Sequence, residues 1–150
     1  MKKIKAQNKF ENYQTIEMPI EALVPASYYD VIPDEDKIRP DLEKGILQYP
    51  LLCYQTDQKY WKENHLRLYH SGNPQLPEQA PETEVDVTKQ GRPYRERKIH
   101  VVWSGRQRYQ ILKEQGYTHV DVIVESVFHK MVDVAQKHCP EATVIQADIE

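Results

Sequence analysis

The pattern of apolar and polar residues predicts three strands and one well-defined helix. The run YPLLCY (49–54) is compact and apolar, as expected of a buried strand, and KIHVVW (98–103) is also predicted to be a strand. HVDVIV (119–124) alternates in polarity and predicts a third strand. A helix is predicted over residues 106–115, and Gly116 is expected to end it in the left-handed conformation that glycine adopts at low cost.

The earlier segments are shorter and interrupted by prolines. TIEMPIEALVP (15–25) predicts a short strand, a turn and then an irregular stretch. IPDEDKIRPDLEKGI predicts two helical turns, 34–37 and 41–44, which Pro40 separates and Gly45 closes.

Polar segments and a last helix complete the chain. Residues 1–14 are predicted to form a loose arm, and residues 126–139 a C-terminal helix. Residues 61–98 are interpreted as an insertion, because they are polar and rich in proline. Within it, residues 71–84 are expected to be an exposed loop, and the flanking residues an added hairpin or partly ordered flaps.

The expected architecture is a single domain over residues 1–150, with its core at about 16–125. Its class is α/β (α+β): a small mixed sheet with packed helices and a long polar insertion. No apolar run reaches the roughly 18–20 residues of a membrane span, and no apolar segment follows the basic N-terminus as in a secretory signal. Cys53 and Cys139 are expected to be reduced thiols. We therefore expect a cytoplasmic protein without membrane contact.

Charge is distributed unevenly along the chain. Between residues 91 and 113 the only acid is Glu96, and the basic residues are Arg92, Arg95, Arg97, Lys98, Arg106, Arg108 and Lys113. The first four are interpreted as a basic surface. Such a surface attracts phosphates of a nucleotide or of a nucleic-acid backbone.

The sequence SGRQR, which we name the Gly105 corner, joins the predicted strand 98–103 to the helix that follows. The first amides of a helix lack internal partners and carry partial positive charge, to which two arginines add full charges. The glycine would let an anion approach the backbone closely. These features indicate a phosphate site formed by Ser104, Gly105, Arg106, Gln107 and Arg108. The alternative interpretation is a tight turn with solvated arginines, and the local sequence favours neither.

The order of motifs resembles that of the ParB/sulfiredoxin-like superfamily. The corresponding segments are MPIEALVP, GILQYPLLCY, VVWSGRQRYQILKEQGY and VDVIV, which cover roughly residues 16–125. Gly105 and Arg108 match the glycine and arginine of the family's G-x-x-R turn, while Arg106 and Gln107 fill its variable positions. Because no cysteine lies in this turn, sulfinic acid reduction is not expected. A partition clamp is not expected either, because a single helix follows the core.

A second segment of the resemblance lies before the strand 49–54. Gly45, Gln48 and Pro50 resemble the family's G-x-x-Q-P segment, with Tyr49 as an extra residue. The resemblance implies a module that binds a nucleotide or nucleic acid, or acts on it as a nuclease, an NTPase or a phosphotransferase. The implied ligand is a nucleoside triphosphate with Mg²⁺.

A different class of function stays open at this point. A catalytically silent module, such as a phage protein, could grip a partner protein through the insertion 61–98. Its candidate contacts are Tyr60, Trp61, Leu66, Leu68 and Tyr69, which have the chemistry of binding hot spots. The same residues could instead cover the core beneath the insertion. The histidines show no pair at zinc-ligand spacing, so no metal site is predicted.

Overall fold

The computed structural model describes residues 2–25, 35–63 and 79–138, which form a mixed β-sheet with helices on both faces. The strands of these residues are β1 (Lys3–Ile4), β2 (Thr15–Pro19), β3 (Leu23–Pro25), β4 (Leu51–Thr56), β5 (Thr83–Lys89), β6 (Arg92–Ser104) and β7 (His119–Glu125). The α-helices are α1 (Glu35–Glu43), α2 (Gln58–Trp61), α3 (Arg106–Glu114) and α4 (Phe128–His138). The predicted α/β class is confirmed.

The sheet has the strand order β1-β7-β4-β6-β3, with β2 also paired to β7 and β5 paired to β6. β4 runs parallel to β7 and antiparallel to β6, so the sheet is mixed at its centre. β3 runs parallel to β6. The end of β6 therefore lies beside the start of β4, where Ser104 pairs with Leu52.

Two hydrophobic cores cover the two faces of the sheet. On one face, α1 and α3 bury Leu42 and Leu112 together with Cys53 from β4. On the other face, α2 and α4 bury Trp61 and Met131 against residues such as Tyr54, Val101 and Trp103. Burial on both faces explains why residues 51–54 and 101–103 of the predicted strands are continuously apolar.

Helix α1 continues through Pro40, which corrects the prediction of two separate turns. A proline removes one intrahelical hydrogen bond, but here the burial of Leu42 in the core opposes that loss. The predicted stop at Gly45 is confirmed, because this residue has a φ of 79°. Beyond it, the amide of Ile46 donates to the carbonyl of Asp41 at 2.8 Å, which closes the helix in a Schellman motif.

Helix α3 ends in the same way. Gly116 has a φ of 80°, and the amide of Tyr117 donates to the carbonyl of Leu112 at 3.0 Å. The hydroxyl of Tyr117 then donates to the carbonyl of Leu42 at 3.2 Å, which links the end of α3 to α1. The predicted left-handed cap at Gly116 is therefore confirmed.

The N-terminal arm is fixed to the sheet, which corrects the expectation of a loose segment. Lys3 pairs with His119 through β1, and Ile4 and Phe10 are buried. The amide of Ala6 donates to the carboxylate of Asp121 at 2.9 Å. These partners are more than a hundred residues away in sequence, so a local pattern could not indicate them.

Strand β6 is thirteen residues long and takes part in both the core sheet and a hairpin. Its second half lies in the core sheet, whereas its first half pairs with β5 in a hairpin that turns at Gln90 and Gly91. Both turn residues have positive φ, 53° and 76°, as a two-residue type I′ turn requires. The structure thus shows the added hairpin. The predicted insertion boundary at residue 98 falls inside one continuous strand.

The predicted exposed loop falls only partly on described residues. Residues 71–78 lie outside them, while Thr83 and Glu84, at the end of the predicted loop, belong to β5. Helix α4 corresponds to the predicted C-terminal helix, Cys53 is a buried free thiol, and Cys139 lies outside the described residues. None of the helices in the described ranges has the length and apolar composition that a bilayer crossing requires.

Candidate functional site

The Gly105 corner lies where β6 passes into α3. Ser104 is the last residue of β6 and is half-buried, and the ladder beside it shifts register between Leu52 and Cys53. Gly105 precedes the helix with φ 97° and ψ 25°, in the left-handed region. Gly105 has no side chain that could cap the helix, and α3 begins with the next residue, Arg106. Arg106 and Gln107 are both half-buried.

Gly105 has little space beside its α-carbon. A Cβ atom built there would lie 2.5 Å from Leu51 Cδ2 and 2.7 Å from Arg108 Nη2. Its positive φ independently disfavours an L side chain. Glycine at this position therefore suits both the left-handed backbone and the close packing of Leu51 and Arg108, and that side of the residue is filled by protein.

Arg108 joins the two segments that the sequence suggested. Its Nη1 atom donates to the backbone carbonyl of Tyr49 at 2.6 Å. Its guanidinium charge also acts on the buried thiol of Cys53, whose pKa burial raises and Arg108 lowers by a smaller amount. The net rise keeps the thiol protonated at neutral pH, which agrees with the expectation of a structural cysteine.

Residues 48–50 also contact the N-terminal arm. The amide of Asn8 donates to the carbonyl of Gln48 at 3.0 Å, and its side-chain Nδ2 atom donates to the same oxygen at 2.9 Å. The ring of Tyr49 packs on the ring of Phe10, with centroids 5.7 Å apart. Gln48 is exposed and Pro50 is buried.

Gly45 is not brought to the Gly105 corner. The position of a Cβ atom on Gly45 would lie 3.7 Å from the hydroxyl of Tyr117, which follows the C-terminal end of α3. Gly105 precedes the N-terminal end of this nine-residue helix, which is about 13 Å long, whereas Tyr117 follows its C-terminal end. Of the second predicted segment, the structure therefore places only the residues around Tyr49 beside the corner.

The predicted basic surface lies on the hairpin and faces acidic partners. Arg95 lies 3.6 Å from Glu84 and 3.5 Å from Asp86, and Arg97 lies 3.7 Å from Glu82. Lys98 lies 3.3 Å from Glu96, which also pairs with Lys89. Arg92, opposite Lys89, is exposed.

These ion pairs reduce the positive charge that the predicted basic surface presents to a ligand. The acids of β5 compensate much of the charge that β6 presents. Arg97 is also separated from the Gly105 corner by the length of the strand between them, roughly 20 Å. The two groups of basic residues that are adjacent in sequence are thus separate surfaces in the fold.

His100 faces the interior and not the corner. It is 2 % exposed, and its Nε2 atom lies 3.2 Å from the side-chain nitrogen of Gln55. Within the described part of the chain, no hydrogen-bond partner lies near its buried Nδ1 atom. Burial lowers the pKa of this imidazole to about 4, so it is neutral at pH 7.

No metal-binding group is formed by three or more His, Cys, Asp or Glu side chains of residues 2–25, 35–63 and 79–138. Among the proposed protein contacts, Trp61 is buried in the core and Tyr60 is half-buried beside Tyr54, with ring centroids 6.3 Å apart. Leu66, Leu68 and Tyr69 lie outside the described residues.

In the motif pattern Tyr49 is an extra residue, and nothing in the sequence indicates that it belongs to the site. Its backbone oxygen is the acceptor of Arg108, and a backbone acceptor leaves no trace in the residue type. Comparison with known proteins adds no further residues. The chain matches no protein-family model, and it has no match among curated proteins. Membership of the ParB/sulfiredoxin-like superfamily therefore stays a prediction from the motifs.

Proposed function

We propose that the Gly105 corner binds a phosphate group of a nucleotide. The observation that supports this most directly is the hydrogen bond from Arg108 to the carbonyl of Tyr49. It joins the G-x-x-R turn to residues 48–50, which belong to the segment that resembles the family's other phosphate- or base-side segment. These parts are separated by 59 positions in sequence.

The electrostatics of the corner favour an anion. The first turn of α3 presents the positive end of the helix dipole, and Arg106 and Arg108 lie within that turn. Arginine can bind phosphate oxygens with two parallel hydrogen bonds. The position of the Arg108 guanidinium is fixed by Tyr49, so less conformational entropy is lost when a ligand binds.

The ligand is a small nucleotide and not a nucleic-acid strand. Binding to a nucleic-acid backbone uses several phosphate contacts along an extended basic surface. The hairpin arginines that would extend the surface are paired with Glu82, Glu84 and Asp86. The positive charge of the corner itself is suited to one short phosphate chain, such as that of a nucleoside triphosphate with Mg²⁺.

The rival hypothesis of protein binding through the insertion has less support. Of its five candidate contacts, the structure describes Tyr60 and Trp61, and both pack towards the core. Their apolar surface is used within the fold, which is the alternative that the sequence left open.

The proposal is tested by calorimetric titration of nucleoside triphosphates with Mg²⁺, together with an assay for released phosphate. Wild-type protein is expected to bind, and Arg106→Ala is expected to weaken binding about ten- to a hundredfold, because a charge-assisted hydrogen bond is lost. Arg95→Ala is the matched control, since this arginine lies on the hairpin among acidic partners. Equal losses in the two variants, or no binding by the wild type, would contradict the proposal.

A further inference from the structure

Tyr49 is an exposed aromatic residue whose backbone carbonyl contacts Arg108 of the Gly105 corner. It is 46 % exposed, whereas Tyr54, Tyr109 and Tyr117 are buried. The hydroxyl groups of Tyr109 and Tyr117 donate to backbone carbonyls inside the protein. Tyr49 thus differs from these tyrosines in presenting its ring to solvent.

We propose that Tyr49 contacts the base of the bound nucleotide by stacking, while the phosphates lie at the Gly105 corner. This inference rests on the proposed function. It adds a specificity-determining residue and a ligand class: the site recognises nucleoside phosphates and discriminates against inorganic polyphosphate. Stacking on an aromatic ring suits every base, because each base presents a π-face.

The position of Tyr49 relative to the phosphate site is set by its own backbone. Its carbonyl oxygen is the atom that accepts the hydrogen bond from Arg108. The ring is therefore attached to the same residue that touches the corner. A phosphate held by the first turn of α3 would leave the sugar and base of the same nucleotide within reach of that ring.

The ring is also supported before any ligand arrives. Phe10 is buried behind it, and the two ring planes are inclined at 44°. Asn8 holds the preceding residue through two hydrogen bonds to the carbonyl of Gln48. Tyr49 has few rotatable bonds, so a base would stack on it at low entropic cost.

Exposure alone does not identify a binding residue, and Tyr94 provides the comparison. Tyr94 is 47 % exposed, almost the same as Tyr49, but it lies on the hairpin opposite Val87. A variant at Tyr94 removes an equally exposed ring away from the corner. It is therefore a matched control for the loss of aromatic surface.

The test measures the affinities of ATP, CTP and inorganic tripolyphosphate, each with Mg²⁺, by calorimetric titration. Wild type is expected to bind both nucleotides more tightly than tripolyphosphate. Tyr49→Ala is expected to weaken nucleotide binding roughly 5- to 150-fold, the range for loss of one base–aromatic stack, and to leave tripolyphosphate binding unchanged. Tyr49→Phe and Tyr94→Ala are expected to bind like wild type. All these variants keep the backbone carbonyl that accepts from Arg108.

The possible failures are distinguishable from one another. If no variant and no wild-type sample binds any of the three ligands, the proposed function and this inference both fall. If nucleotides bind but Tyr49→Ala binds them as wild type does, the inference falls and the proposed function stands. If Tyr49→Ala loses tripolyphosphate affinity to the same extent as nucleotide affinity, Tyr49 supports the corner and does not contact the base, and the inference again falls.

Discussion

Arg108 donates a hydrogen bond of 2.6 Å from its Nη1 atom to the backbone carbonyl oxygen of Tyr49. The bond connects the first turn of α3 to the residues that lead into β4. One side chain thus supplies positive charge at the Gly105 corner and holds a neighbouring segment in place. Variants of Arg108 are expected to change stability and ligand binding together.

Arg108→Ala is expected to lower the free energy of unfolding by about 1.5–3 kcal/mol, because a hydrogen bond to a charged group is lost. Arg108→Lys keeps the charge but cannot reproduce the planar fork, so an intermediate loss is expected. Urea denaturation at pH 7 measures both effects. Arg95→Ala, at an exposed site on the hairpin, is the control; an Arg108→Ala midpoint equal to that of the control would show that the bond contributes nothing to stability.

Gly105→Ala is expected to destabilise the fold by about 2–4 kcal/mol, the sum of a left-handed residue and a steric overlap. The added Cβ atom would lie 2.5 Å from Leu51 Cδ2. Gly91→Ala is the matched control, because its φ is also positive, 76°, while nothing lies within 4 Å of the added atom. It is expected to cost about 1–2 kcal/mol, the cost of the left-handed conformation alone. Thermal or urea unfolding separates the two, and equal losses would rule out the packing argument.

His100 is expected to make stability depend on pH below neutrality. Its pKa is about 4 in the folded protein and 6.5 ordinarily, so the unfolded chain binds the proton more readily. The stabilising effect of the neutral imidazole is complete above pH 6.5, is lost as pH falls towards 4, and amounts to at most about 3 kcal/mol. The pKa of Glu17 is lowered from 4.5 to about 2, chiefly by hydrogen bonds from Lys5 and Lys3. The stabilising effect of the ionised Glu17 is therefore lost as the pH falls from about 4.5 towards 2.

His100→Gln separates these contributions, because the amide does not titrate. Unfolding free energies measured between pH 7 and pH 4 are expected to fall less steeply in this variant than in wild type. His129→Gln, on the exposed surface of α4, is the control for replacing a histidine with glutamine. Identical slopes in wild type and His100→Gln would assign the pH dependence to other groups.

The double variant Arg95→Ala/Arg97→Ala is expected to leave nucleotide affinity within about twofold of wild type, because surface ion pairs contribute little and lie far from the corner. Affinity for single-stranded DNA is expected to be low and to change little with salt, since few phosphates would be neutralised. A tenfold loss of nucleotide affinity, or strong DNA binding with a steep salt dependence, would show that the hairpin belongs to the site.

The elements that are determined by residues close together in the sequence could be predicted from the sequence. The apolar runs became β4 and the second half of β6, and Gly45 and Gly116 end helices because they adopt positive φ. Pro40 misled the prediction of α1, since the rule for proline considers one lost hydrogen bond and not the burial of Leu42. The N-terminal arm was misjudged because its partners lie near the other end of the sequence.

The sequence predicted the turn at the candidate site, but it did not predict which residues surround that turn. SGRQR indicated a strand passing into a helix at a glycine, and the structure shows Gly105 in the left-handed region before α3. The number of basic residues between positions 91 and 113 overestimated the available positive charge, because the acids that pair with Arg95 and Arg97 lie earlier in the chain. Glu84 and Asp86 lie on β5, and Glu82 lies just before it. The acceptor of Arg108 is a main-chain oxygen, which residue types do not reveal.

The central position of β7 has a consequence for how the protein is made. β1, β2 and β4 all pair with this strand, yet it is the last of the described strands along the chain. During translation, the N-terminal strands emerge from the ribosome long before residues 119–125 exist. Pairing between Lys3 and His119 closes a very long loop, which is a slow step in folding. A nascent chain stalled before β7 would therefore expose its apolar strands, and we expect it to be bound by chaperones until synthesis passes that point.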